Sequence, residues 1–140
     1  MSKYIAQASC ERIKFYGPYK PAEKVGIMEN VDILFNAYGF GNKLVDYALS
    51  NKLYDSFYMR IPLLTSPNTA MSEEAGDFSF DIDFDKVDSL DGLYEWYCNI
   101  DADAFDVYSK KYLNGVFEAQ DEFYKKLKEV LFNEWFCNIN

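Results

Sequence analysis

The sequence predicts an α+β fold in which a small antiparallel sheet packs against several helices and the last helix is long. Three observations lead there. Apolar residues alternate with period two over residues 53–64 and 77–85. Spacing of three and four dominates the last third of the chain. The two kinds of segment do not follow one another in regular strand–helix–strand order, so crossover connections are not expected.

Taken in order, residues 3–17 read as strand-like, with Tyr4, Ile5, Ile13, Phe15 and Tyr16 as β-formers and Gly17-Pro18 as the stop. A loop follows to Lys24. From roughly Ala22 or Glu29 the pattern turns helical, with Val31, Leu34, Phe35 and Tyr38 repeating at three and four until Gly39 and Gly41 interrupt it. Asn42 can cap a second helix carrying Leu44, Val45, Tyr47 and Ala48. Leu53, Phe57, Met59, Ile61 and Leu63 define a strand over 53–64, whose pairing Pro62 limits or which it places at an edge. Thr65 to Gly76 reads as a polar loop. Asp77 to Asp85 is the cleanest strand: Phe78, Phe80, Ile82 and Phe84 face a core, and the intervening acids share the wet side. Ser89 is expected to cap a helix bearing Leu90, Leu93, Tyr94 and Tyr97, and Asp101 or Asp103 to cap the next, with Phe105, Tyr108 and Tyr112. Asn114-Gly115 should end that one. A last helix runs from about Val116 to Phe136 on a stripe of Val116, Gln120, Phe123, Leu127, Val130, Leu131 and Trp135.

Size bounds the chain further. Its 140 residues correspond to one domain, 1–140. Twelve Tyr, twelve Phe and two Trp argue against disorder and exceed what one core of this size needs. Some rings should therefore lie on a binding surface. No run of 18 apolar residues occurs, so no membrane span is expected. The segment Met1-Ser2-Lys3-Tyr4-Ile5-Ala6 lacks the features of a secretory signal. Cys10, Cys98 and Cys137 form no CxxC pair and fit reduced thiols. The expected location is cytoplasmic.

Charge is concentrated. Between Glu73 and Asp106 there are twelve acids and one base, Lys86, a net of −11 within a chain whose total is −9. The remainder is slightly basic. Crowding like charges costs stability, so the segment calls for a reason: solubility, protection of a strand edge, or a basic partner. In an extended strand, alternate residues repeat every ~6.6–6.8 Å. Asp81, Asp83 and Asp85, with Asp77 before them, would then form a row spaced much like the phosphates of one nucleic-acid strand. Asp88, Asp91, Asp103 and Asp106 extend the acidic set, and Tyr94 or Trp96 offers an aromatic anchor.

Other chemistries fit less well. Asp81-x-Asp83-x-Asp85 matches the first ligands of a calcium loop, but Lys86 and Gly92 stand where that loop needs Gly and Glu. Without histidine there is no Ser-His or Cys-His dyad and no imidazole ligand. No Gly-rich phosphate loop is present. Neither an enzyme nor a cofactor or metal protein is expected. Direct nucleic-acid binding is unfavourable, because no basic stripe exists and the acids repel phosphate.

In size, charge and ring content the chain resembles the small acidic DNA-mimic inhibitors of phages and mobile elements, which include anti-restriction and anti-CRISPR proteins. The resemblance rests on composition and on no alignable motif. It implies an inhibitor that binds the basic surface of a nucleic-acid-binding enzyme or effector complex. An immunity protein against a basic toxin, or a structural domain whose acids serve solubility, would share these features.

Overall fold

The computed structural model describes residues 12–14 and 16–137, with side chains followed as far as Phe132. The chain divides into two compact units, Met1–Val31 and Asp32–Asn140. The strand read over residues 3–17 falls mostly outside the described residues; those of its residues that are described are not in a strand.

In the first unit, Pro21–Glu23 forms a 3-10 turn that leads into α1, Lys24–Met28. Proline opens the turn where a missing N–H costs nothing. The Glu23 carboxylate accepts from the Lys20 N–H at 2.7 Å. The helix is one turn long and stops before Val31, so the helical spacing read from Val31 to Tyr38 is not realised.

The second unit is built on three short strands: β1, Leu34–Phe35; β2, Leu63–Thr65; β3, Ser79–Asp81. They lie in the order β1-β2-β3 and every pair is parallel, with Leu34 opposite Leu63 and Leu64 opposite Phe80. The antiparallel sheet expected from sequence is therefore incorrect. The physical reason lies in the connections, which contain helices long enough to carry the chain back for a parallel return. Between β1 and β2 come α2, Lys43–Asp46, and α3, Asn51–Met59. Between β2 and β3 comes α4, Ala70–Ala75.

Local chemistry accounts for each of these. Asn42 caps α2 by accepting from the Leu44 N–H, as its position in the sequence predicts. Ser50 caps α3 from the Lys52 N–H. Leu53, Ser56 and Phe57, spaced three and four apart, form its buried face. Arg60 ends it in the left-handed region at φ 59°, the Ile61 N–H closes on Ser56 O, and Pro62 forbids continuation. The strand read over 53–64 is thus a helix followed by a three-residue strand. That strand is the central one; Pro62 precedes it and supplies a carbonyl to the Leu34 N–H. Thr69 caps α4, which buries Met71 and Ala75 inside the stretch read as a loop.

Beyond β3 the chain makes successive turns to α5, Leu93–Cys98, and then α6, Ala102–Cys137. Gly92 opens α5 at φ 81°, a conformation that favours glycine. Ser89 does not cap this helix; its hydroxyl accepts from the Asp83 N–H. Asp101 caps α6 through the Asp103 and Ala104 N–H groups at 2.9 Å. Asn114-Gly115 does not interrupt α6, so the two helices expected after residue 101 are one helix of 36 residues.

The core gathers where α3 and α6 meet the sheet. Leu53, Phe57, Leu63, Met71, Ala75, Phe78 and Phe105 are buried together, with Tyr108 and Tyr112 packed against them. Phe78 stacks on Phe105 at 4.3 Å, and Phe57 meets Tyr112 at 4.7 Å. Five rings, Phe57, Phe78, Phe105, Tyr108 and Tyr112, fill much of this core, while many other Phe and Tyr side chains are exposed. Among the described residues no helix is long and apolar enough to cross a membrane.

Candidate acidic interface

The twelve acids from Glu73 to Asp106 are distributed over α4, the 3-10 turn Gly76–Phe78, β3, the turns that follow, α5 and the start of α6. Nine of the twelve are exposed and three, Glu74, Asp83 and Asp106, are half-buried. Among the described residues only Asp83 and Asp106 of this set form ion pairs.

The strand expected over 77–85 runs only over Ser79–Asp81. Asp77 sits in the preceding 3-10 turn and Asp83 and Asp85 lie past the strand end. The evenly spaced carboxylate row is therefore not formed. Its apolar partners diverge as well: Phe78 and Ile82 are buried, Phe80 packs against Trp96 at 5.5 Å, and Phe84 is exposed beside Phe35.

Three acids hold the fold. Asp81 accepts from Thr65 Oγ1 at 2.8 Å and from Ser72 Oγ at 2.9 Å, tying β3 to β2 and α4. Asp83 is only 15% exposed, pairs with Lys86 at 3.2 Å and accepts from the Asp85 N–H. Asp106 meets Arg60 at 2.9 Å and Lys110 at 2.6 Å. The hydrogen bonds from Lys110 and then Arg60 pull its carboxyl below the ordinary carboxylate value.

The other predicted acids face outward. Asp85, Asp88 and Asp91 stand on consecutive turns closed by Lys86 N to Asp83 O, Ser89 N to Lys86 O and Asp91 N to Asp88 O. Asp103 is exposed on the first turn of α6. Asp77 belongs to a second cluster. Trp96 donates its indole N–H to Asp77 O at 3.1 Å, and the two line a cleft of about 500 Å3 with Asn99 and Asp101. Asp101 was not among the site residues picked from the sequence, where its capping position is its visible signal.

The two aromatic candidates separate. Trp96 is half-buried and braces β3, so it is not a free anchor. Tyr94 is 82% exposed. Its phenol pKa is raised, first by a hydrogen bond with the Cys98 thiol one turn on. Tyr94, Tyr97, Leu90, Leu93 and Ile33 line a shallow apolar groove of about 340 Å3 within the acidic segment. Of the residues expected on this helix, Leu90 lies before its start and is exposed, and both Leu90 and Leu93 line the groove.

Among the described residues the only carboxyl with a displaced pKa is that of Asp106, and it is shifted toward the ionised form. Among the described residues no group of three or more acids and cysteines is placed to hold a metal ion. A scan of protein-family models and searches of curated proteins and of solved structures found no match to this chain.

Proposed function

We propose that this chain is a protein inhibitor, not a catalyst, that binds the basic nucleic-acid-binding surface of a nuclease or defence effector of the anti-restriction or anti-CRISPR type. The reading rests on one observation: exposed Asp85 and Asp88 precede, and exposed Asp91 lies between, Leu90 and Leu93, which line an apolar groove together with Tyr94. An apolar centre with a charged rim is the usual anatomy of a protein–protein interface. The carboxylates occupy the place that phosphates take in the partner's groove, without the regular spacing of a nucleic-acid strand. The rim raises the rate of encounter with a cationic groove by 10–10³-fold at low salt. The ring of Tyr94 supplies desolvated area that salt does not screen.

The test uses the intact protein as bait in nuclease-treated lysate, followed by identification of the captured partner. Binding of that partner is then compared with the Asp85→Asn, Asp88→Asn, Asp91→Asn variant across salt concentrations. The expected result is weaker binding by the variant, a shallower salt dependence, and displacement of the wild-type protein by added duplex nucleic acid. A folded variant that binds equally at every salt concentration overturns the reading.

A further inference from the structure

The apolar face of α6 outruns the body it packs on. Phe105 and Ser109 are buried, and Tyr112, Leu113 and Val116 are half-buried along one side of the helix. The same side continues at spacings of three and four through Gln120, Phe123, Leu127 and Val130, with Tyr124 and Leu131 beside them. Nothing covers this continuation among the described residues: Phe117, Phe123, Tyr124, Leu127, Val130 and Leu131 are 40–61% exposed. Glu118, Lys125 and Glu129 fall on the opposite side of the helix.

We infer that this face pairs two copies of the chain, their α6 helices antiparallel through residues 116–131. Three observations favour a second copy as the occupant. The spacing of Val116, Gln120, Phe123, Leu127 and Val130 is that of a coiled-coil seam, which is self-complementary. The six exposed apolar side chains offer roughly 100 Å2 each. That amounts to about 600 Å2 per copy, near the lower bound for a specific interface and at the upper end of the apolar patches that monomers leave open. Charge gives the third argument and the direction. Residues 116–131 carry four acids and three bases, so two such helices meet with little repulsion. Asp101, Asp103 and Asp106 stand at the start of α6. A parallel pair brings two acidic ends together. An antiparallel pair centred on residues 116–131 sets Asp106 and its counterpart about 50 Å apart along the axis, well beyond the ~8 Å screening length at physiological salt. The inference does not depend on the functional reading above.

Sedimentation of the full chain over a micromolar concentration series tests it. The wild type is expected to dimerise reversibly, and Leu127→Glu to remain monomeric with unchanged helical circular dichroism. Gln120→Leu replaces the one polar residue of the seam and is expected to tighten association about ten-fold or more. If Leu127→Glu does not fold, Gln120→Leu decides alone. A wild type that is monomeric throughout, or a dimer indifferent to both substitutions, overturns the pairing. Direction is read with nitroxide labels on Glu118→Cys and on Lys125→Cys, each with the three native cysteines changed to serine. A longer inter-copy distance at 118 than at 125 is expected; equal distances overturn the antiparallel arrangement.

Discussion

Trp96 donates its indole N–H to the backbone carbonyl of Asp77 across 3.1 Å, so two residues that the sequence offers as partner contacts are joined to each other within the fold. Tyr94, two residues earlier, makes no such brace and is 82% exposed. The two rings should respond oppositely to substitution. Trp96→Phe loses the hydrogen bond and is expected to lower stability by about 0.5–1.5 kcal/mol. Tyr94→Ala is expected to leave stability within about 0.5 kcal/mol and to weaken partner binding by at least ten-fold, as an aromatic hot spot does. Denaturant titration and a binding isotherm on both variants check the split.

Arg60 and Asp106 give an acid-sensitive link between the end of α3 and the first turns of α6. The Asp106 carboxyl titrates below its ordinary 3.8 because Lys110 and Arg60 bond to its charged form. A lowered folded pKa means stability that is present above the unfolded value and lost as pH falls through the folded one. The denaturation midpoint of the wild type is therefore expected to drop below pH 3.8 more than that of Asp106→Asn, which lacks the linkage. Parallel slopes for the two proteins across that window count against the pairing.

At the other end of the pH scale, Tyr112 is the sensitive group. Burial first, and the nearby Glu74 carboxylate second, push its phenol up to about 12. Tyr108 is raised for the same reasons. A raised phenol contributes stability that is complete below the unfolded value of 10.0 and lost as pH climbs through the folded one. Phenolate absorbance is expected to show a late-titrating class between pH 10 and about 12 that accompanies alkaline unfolding. Tyr112→Phe should shrink that class and make stability less steep across the window.

How legible all this was in the sequence depends on the range of the interactions involved. The caps at Asn42 and Asp101 act over two or three residues, and both stand where their side chains predict. The long final helix carries its own period. Leu53 and Phe57 fit a strand spaced by two and a helix spaced by four, and what decides is buried Ser56 between them, a polar residue with no apolar signal. The six-residue α4 hides in a polar stretch because only Met71 and Ala75 face inward. Missing it and α3 removes both crossovers, and with them the parallel sheet. The acidic alternation from Asp77 to Asp85 is real in sequence. Two of its acids are drawn into bonds of their own, Asp81 with Thr65 and Ser72 on other elements and Asp83 with Lys86, contacts that period-two reasoning cannot contain.

Gly115 separates the two views of the C-terminal third most sharply. Asn and Gly are poor helix formers and make a good stop signal. Yet α6 passes through them, Gly115 has a negative φ, and a Cβ placed there meets nothing within 4 Å. Glycine inside a helix costs stability because the unfolded chain has more freedom to lose, so Gly115→Ala is expected to stabilise the protein by about 0.5–1 kcal/mol. The sign is diagnostic. A helix that ended here in a left-handed glycine would be destabilised by alanine, since the side chain strains that backbone. Thermal denaturation of the single variant reads the difference directly, and a lowered midpoint would place a break at residue 115.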